Sequence, residues 1–133
     1  MKPRHTTKSG LPCFSAVYFW EMDLPAYRHL SVYGRALLIE FRRKYNGSNN
    51  GFIAMSARDA AGLLGCDKDT AHKYLGELEE KGWIREAQKG SFHRKSDAGG
   101  RKCRAATTWR ITNQPIDLGV GTKETREYRD WKP

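Results

Sequence analysis

A chain of 133 residues with 38% hydrophobic content is sized for one domain built around a single modest core. Its formal net charge of +9 favours a polyanionic partner, because a cationic surface gains free energy by releasing counterions from phosphates. No apolar run approaches the roughly 20 residues that cross a bilayer, and no apolar signal-peptide core opens the chain, so a soluble, cytoplasmic protein is expected.

Residues 1–13 are polar, basic and broken by Pro3, Gly10 and Pro12. They read as a flexible arm, in which Lys2, Arg4 and Lys8 either touch a DNA backbone or minor groove or are simply solvated. Residues 14–30 read as an extension packing on the core: an aromatic-rich stretch from Phe14 to Trp20, then a short helix over 24–30 with Pro25 tolerated in its first turn. Ser31 caps the next helix, which carries Tyr33, Leu37, Leu38, Phe41 and Tyr45 at helical spacing until Asn46-Gly47 stops it. Arg42, Arg43 and Lys44 fall in its last turn, where positive charge complements the helix dipole. The loop 47–51 is turn-prone, and Phe52 to Met55 predicts a short strand. Ser56-Ala57-Arg58-Asp59 is a capping-box-like start for a compact helix that buries Ala60, Ala61, Leu63 and Leu64.

A tight turn at Gly65 follows, and Asp67 is placed to cap a second helix by accepting from the unpaired N–H groups of its first turn. Ala71, Tyr74, Leu75 and Leu78 repeat at three- and four-residue intervals and define a core face. That leaves Lys68, Asp69, Thr70, His72, Lys73 and Gly76 looking outward. Gly82 suits a left-handed helix end, and Trp83 to Gln88 alternates as a half-exposed strand does. Residues 89–105 carry six Lys or Arg against one Asp, and Thr107 to Thr112 predicts the returning strand. Residues 114–133 form a C-terminal tail. It is linker-like at 119–122 and charged from Lys123, with Tyr128 and Trp131 spaced to dock on this chain or a partner subunit if the tail is ordered at all.

The run Leu64-Gly65-Cys66-Asp67, then Ala71, Leu75, Leu78 and Gly82-Trp83-Ile84, resembles the winged helix-turn-helix proteins of bacteria. The resemblance covers roughly residues 31–113. It implies an α+β, mainly helical fold, a winged helix-turn-helix with a small antiparallel β-hairpin as the wing. Together with the 45–51 loop and the 106–112 strand, the pattern is also similar to small proteobacterial proteins carried on mobile elements. Carried over residue by residue, the resemblance implies that Lys68, Asp69, Thr70, His72 and Lys73 enter a major groove, whose width admits one helix. Lys68 and Lys73 suit guanine edges or phosphates, Thr70 a phosphate or a thymine methyl, and His72 a base or the backbone. Asp69 repels phosphate unless it accepts from a cytosine amine or orients a lysine. Arg94, Lys95, Arg101, Lys102 and Arg104 on the glycine-rich wing suit phosphates or the minor groove.

Other chemistries lack their residues. Cys13, Cys66 and Cys103 are odd in number and far apart, and no C-x-x-C or H-x-x-x-H pair occurs, so neither a disulfide framework nor a metal site is expected. No P-loop, G-x-G-x-x-G, G-x-S-x-G or His cluster is present, so no enzyme and no cofactor is expected. Two functions remain: a sequence-specific regulator binding double-stranded DNA, as a monomer or homodimer, or a replication-associated or adaptor module acting mainly through protein contacts. The acidic half of the second helix (Glu77, Glu79, Glu80) and the aromatic ends of the chain keep the adaptor in play. Fold alone does not choose between them.

Overall fold

The computed structural model describes residues 6, 9–88, 91–96, 102–114 and 123–133, with 91–96 and 102–105 described by backbone alone. The described chain is α+β. Its helices are α1 (Phe19–Met22), α2 (Pro25–Arg28), α3 (Val32–Lys44), α4 (Ala57–Leu64) and α5 (Lys68–Glu80). Its strands are β1 (Ile53–Ala54), β2 (Ile84–Gln88), β3 (Ser91–Ser96), β4 (Lys102–Ala105) and β5 (Thr108–Ile111), and a 3-10 turn spans Glu127–Arg129. An antiparallel sheet has the order β1-β5-β2, and β3 pairs with β4 in a separate antiparallel ribbon. Among the described residues no helix is long and apolar enough to cross a membrane.

Local chemistry sets the helix ends. The Ser31 hydroxyl accepts from the Gly34 N–H at 3.0 Å and opens α3. Ser56 and Asp59 form a reciprocal capping box at the start of α4, each side chain accepting from the other's N–H at 3.0 Å. Pro25 occupies the first turn of α2, where its missing N–H has no cost. β5 alternates between half-buried and buried positions as a one-sided strand should, with Trp109 and Ile111 inward. β2 does not alternate: Ile84 is buried and Glu86, Ala87 and Gln88 are all exposed. The register between β2 and β5 shifts between Glu86 and Gln88, so the strand leaves the core before its pattern can repeat.

The core joins α3, α4 and α5 to the inner face of the sheet through Leu37, Phe41, Ala60, Leu78, Ile53 and Ile111, with Trp83 between them, all under 5% exposed. Each buried indole satisfies its N–H: Trp83 donates to the Ala26 carbonyl at 3.2 Å and Trp109 to the Met55 carbonyl at 2.9 Å. Buried Asn50 closes the 45–51 loop onto the sheet by accepting from the Ile111 N–H at 2.7 Å and donating to the Ile111 carbonyl at 2.9 Å.

Both ends of the chain return to this core. Arg42, at the end of α3, is buried rather than set at the surface beside the dipole. Its guanidinium donates to both carboxylate oxygens of buried Glu21, at 3.0 and 2.6 Å, and to the Ala16 carbonyl at 2.7 Å. Burial alone would raise the Glu21 carboxyl, but the Arg42 guanidinium and the Tyr18 N–H hold it below the ordinary range. The aromatic stretch rests on this polar anchor, and Phe14, Tyr18 and Phe19 themselves stay exposed. At the other end, Tyr128 is buried and stacks on Trp83 with ring centroids 4.1 Å apart. Glu127 pairs with Arg85 and with Arg110, the latter at 2.8 Å.

Candidate nucleic-acid interface

The region begins with two helices joined through a short turn. Gly65 ends α4 at φ +69°, its N–H bonded to the Ala61 carbonyl at 2.9 Å. Cys66 leads to Asp67, whose carboxylate accepts from the Thr70 N–H at 2.7 Å and opens α5. The Thr70 side chain and N–H hold the Asp67 carboxyl below its usual range. Thr70 is therefore committed to the cap and half-buried.

Burial of Ala71, Leu75 and Leu78 fixes the rotation of α5 and leaves its opposite face open. Lys68, Asp69, His72 and Lys73 are exposed on the first two turns, so four of the five side chains expected there share one accessible surface. Asp69 adds a negative charge to it. Glu77 does not extend the acidic half of the helix outward. Its carboxylate accepts from the Ser31 N–H at 2.6 Å and the Ser31 hydroxyl at 2.8 Å, at the positive end of α3. Gly34 leaves room for this contact, since a Cβ there would lie 3.2 Å from Glu77 Oε2. Tyr33 and Tyr74 stack beside it at 5.0 Å, so α5 is held against α3 by a charged and an aromatic contact together.

Trp83 and β2 follow α5 at once, so the hairpin is anchored at the far end of that helix. In the ribbon, Ser91 pairs with Ala105, Phe92 with Arg104 and Ser96 with Lys102, with a register shift between the last two pairs. Arg94 and Lys95 lie on β3, and Lys102 and Arg104 on β4, within the strands of the ribbon. The run is too crowded with charge and glycine for a period of two to be read from it. Lys89, Gly90 and residues 97–101, including Arg101, lie outside the described residues, as do the arm residues 1–5 and 7–8.

Local sequence rules do not reveal a further basic pair. Arg58 on the first turn of α4 and Lys44 at the end of α3 are both exposed, and both lie near enough to Asp59 to stabilise its charge. Lys44 also donates to the Ala54 carbonyl at 3.1 Å. Its place in a basic helix end conceals that reach across to β1. Among the described residues no group of three His, Cys, Asp or Glu could hold a metal ion, and Cys13 and Cys66 are free thiols.

The chain matches no family model, no curated protein and no solved structure.

Proposed function

We propose that the chain is a sequence-specific double-stranded DNA-binding protein of the winged helix-turn-helix type, acting in the cytoplasm as a transcriptional regulator of a bacterium or mobile element. In this reading α4 and α5 are the helix-turn-helix, α5 enters the major groove by its first two turns, and the β3–β4 ribbon is the wing. The observation that carries it is the exposure of Lys68, His72 and Lys73 on one face of a capped helix whose other face is locked into the core. A helix so fixed presents side chains to base edges with little loss of freedom on binding. The wing contributes Arg94, Lys95, Arg101, Lys102 and Arg104 as phosphate contacts, which add affinity without sequence information. The role is binding without catalysis, metal or cofactor.

Two variants separate these contributions. Lys68→Ala/Lys73→Ala is expected to reduce discrimination between duplex sequences, by about 1–3 kcal/mol for each base edge no longer read. Arg101→Ala/Lys102→Ala/Arg104→Ala is expected to weaken binding to every duplex alike and to make the salt dependence shallower by about 3 in log–log slope. Measured by fluorescence anisotropy on several duplexes, native-like binding by both variants would overturn the assignment.

A second reading, an adaptor docking a protein, draws on Phe14 and Phe19, which are 85% and 88% exposed. Solution mass with and without DNA distinguishes a homodimer on a two-fold site from a monomer.

A further inference from the structure

The junction of the N-terminal extension, α3 and the C-terminal segment holds a cleft of about 420 Å³. This volume falls in the range of small-molecule sites. It lies among residues that the duplex-binding surface does not use. Phe14, Tyr18 and Trp20 contribute aromatic surface, with Tyr18 and Trp20 stacked at 6.2 Å and Trp20 41% exposed.

The charges around the cleft cancel in pairs. Arg42 is paired with Glu21 at 2.6 Å, and Arg126 with Glu124 at 3.2 Å. A charged ligand would thus find no net countercharge among these residues. What they leave over is hydrogen-bonding capacity. Arg42 Nε, Arg126 Nε and Asn113 Oδ1 are each buried without a hydrogen-bond partner, and all three residues line the cleft, whereas the Tyr128 hydroxyl is engaged by the Glu21 carboxylate. Buried polar groups are nearly always paired, so three unpaired ones at one place need an explanation. Burial and the hydrogen-bonded Glu21 carboxylate push the Tyr128 phenol far up, so it stays neutral and gives its proton to Glu21 rather than to the cleft. The unpaired set is two donors, the Nε–H groups of Arg42 and Arg126, and one acceptor, Asn113 Oδ1, beside aromatic faces.

We infer that this cleft binds a nucleobase: a neutral planar ring that stacks on the aromatic wall and presents more acceptors than donors along its edge. The imide edge of thymine or uracil, two carbonyls flanking one N–H, matches the donor and acceptor count. The base would be that of a free nucleoside or of a single strand. Arg126 brings a second attraction, because its guanidinium already lies 5.7 Å from the Trp20 ring centroid and can follow a base stacked there.

The test is calorimetric titration of the full chain with thymidine, with benzoate as a charged planar control and a short thymidine oligonucleotide as the strand. Saturable one-to-one binding of thymidine and none of benzoate is expected. Arg126→Met and Asn113→Leu should each weaken thymidine binding about tenfold, the effect of removing one buried hydrogen bond. Their thermal melting and duplex binding should remain native-like, which separates loss of this site from misfolding and from failure of the duplex-binding reading. An oligonucleotide that binds tighter and competes with thymidine identifies single strands as the source, and one that does neither identifies free nucleoside. No saturable binding of thymidine, benzoate binding as tightly, or both variants binding as the native chain does would overturn the inference.

Discussion

Replacing Arg42 by Met is expected to cost about 3–5 kcal/mol of folding stability at neutral pH, lowering the melting midpoint by on the order of 10–20 °C. The reason is the charge left behind. Glu21 is fully buried, and apart from the Tyr18 N–H and the Tyr128 hydroxyl its carboxylate depends on the Arg42 guanidinium. The same guanidinium ties the Ala16 carbonyl and lies 5.7 Å from the Trp83 ring centroid, so the extension loses its polar anchor in the same step. Removing both charges is a different case, because a buried pair replaced by apolar groups is often neutral. Glu21→Met/Arg42→Met should therefore recover most of the loss. The pH dependence has a definite sign. In the native chain the Glu21 carboxyl is depressed, so its stabilisation is complete above the ordinary glutamate value of 4.5 and is lost as pH falls through the depressed value. In Arg42→Met burial acts unopposed by the guanidinium and raises the carboxyl, so the deficit relative to native shrinks on acidification. Thermal melts at pH 7 and pH 4 check both statements. A single variant as stable as native at pH 7 would contradict them.

Gly82→Ala should be far more damaging than Gly65→Ala, although both glycines have positive φ. Gly82 sits at φ +82°, which already costs a residue with a side chain about 1–3 kcal/mol. The added Cβ would also lie 2.7 Å from both the Glu127 carbonyl carbon and the Tyr128 nitrogen. These are backbone atoms and cannot rotate aside. They are held in place by the Tyr128–Trp83 stack, by the Glu127 ion pairs and by the Arg126 N–H donating to the Thr112 carbonyl at 2.8 Å. The methyl is accommodated only if the 123–133 segment moves off. Gly65 is the control: its φ is also positive, at +69°, but nothing lies within 4 Å of a Cβ there. Gly65→Ala should lose only the backbone term, about 1 kcal/mol. Gly82→Ala should lose more and should expose Arg126 and Arg129 to trypsin, while Gly65→Ala leaves the segment protected. Equal stability and equal protease resistance in the two variants would contradict the close approach.

What is legible in the sequence is what has its partner nearby in the chain. Ser31, Ser56 and Asp67 cap their helices through groups three residues on, so residue type and spacing are enough to find them. The exposed face of α5 follows from the period of Ala71, Leu75 and Leu78. Distant partners leave no such trace. Arg42 reads as a helix-end cation by every local rule, yet it meets Glu21 across 21 residues of chain. Glu77 reads as surface acid but closes on Ser31 over 46 residues, and Asn50 reads as turn but pairs with Ile111 over 61. The spacing of Tyr128 and Trp131 marks a docking segment, while its seat on Trp83 depends on tertiary packing that periodicity does not encode. At the interface the side chains of α5 can be assigned singly, whereas the strands of the ribbon are hidden by the charges that make it of interest.

The most direct measurement is the affinity of the full chain for a fluorescent duplex across a salt series. If the five basic residues of the wing meet phosphates while Lys68 and Lys73 read base edges, log K should fall against log salt with a slope of about −4 to −5. A steep dependence of that order, with measurable preference among duplex sequences, is the expected result. No binding at low salt, or binding indifferent to salt, would contradict duplex recognition and leave the ribbon as a solvated charged hairpin.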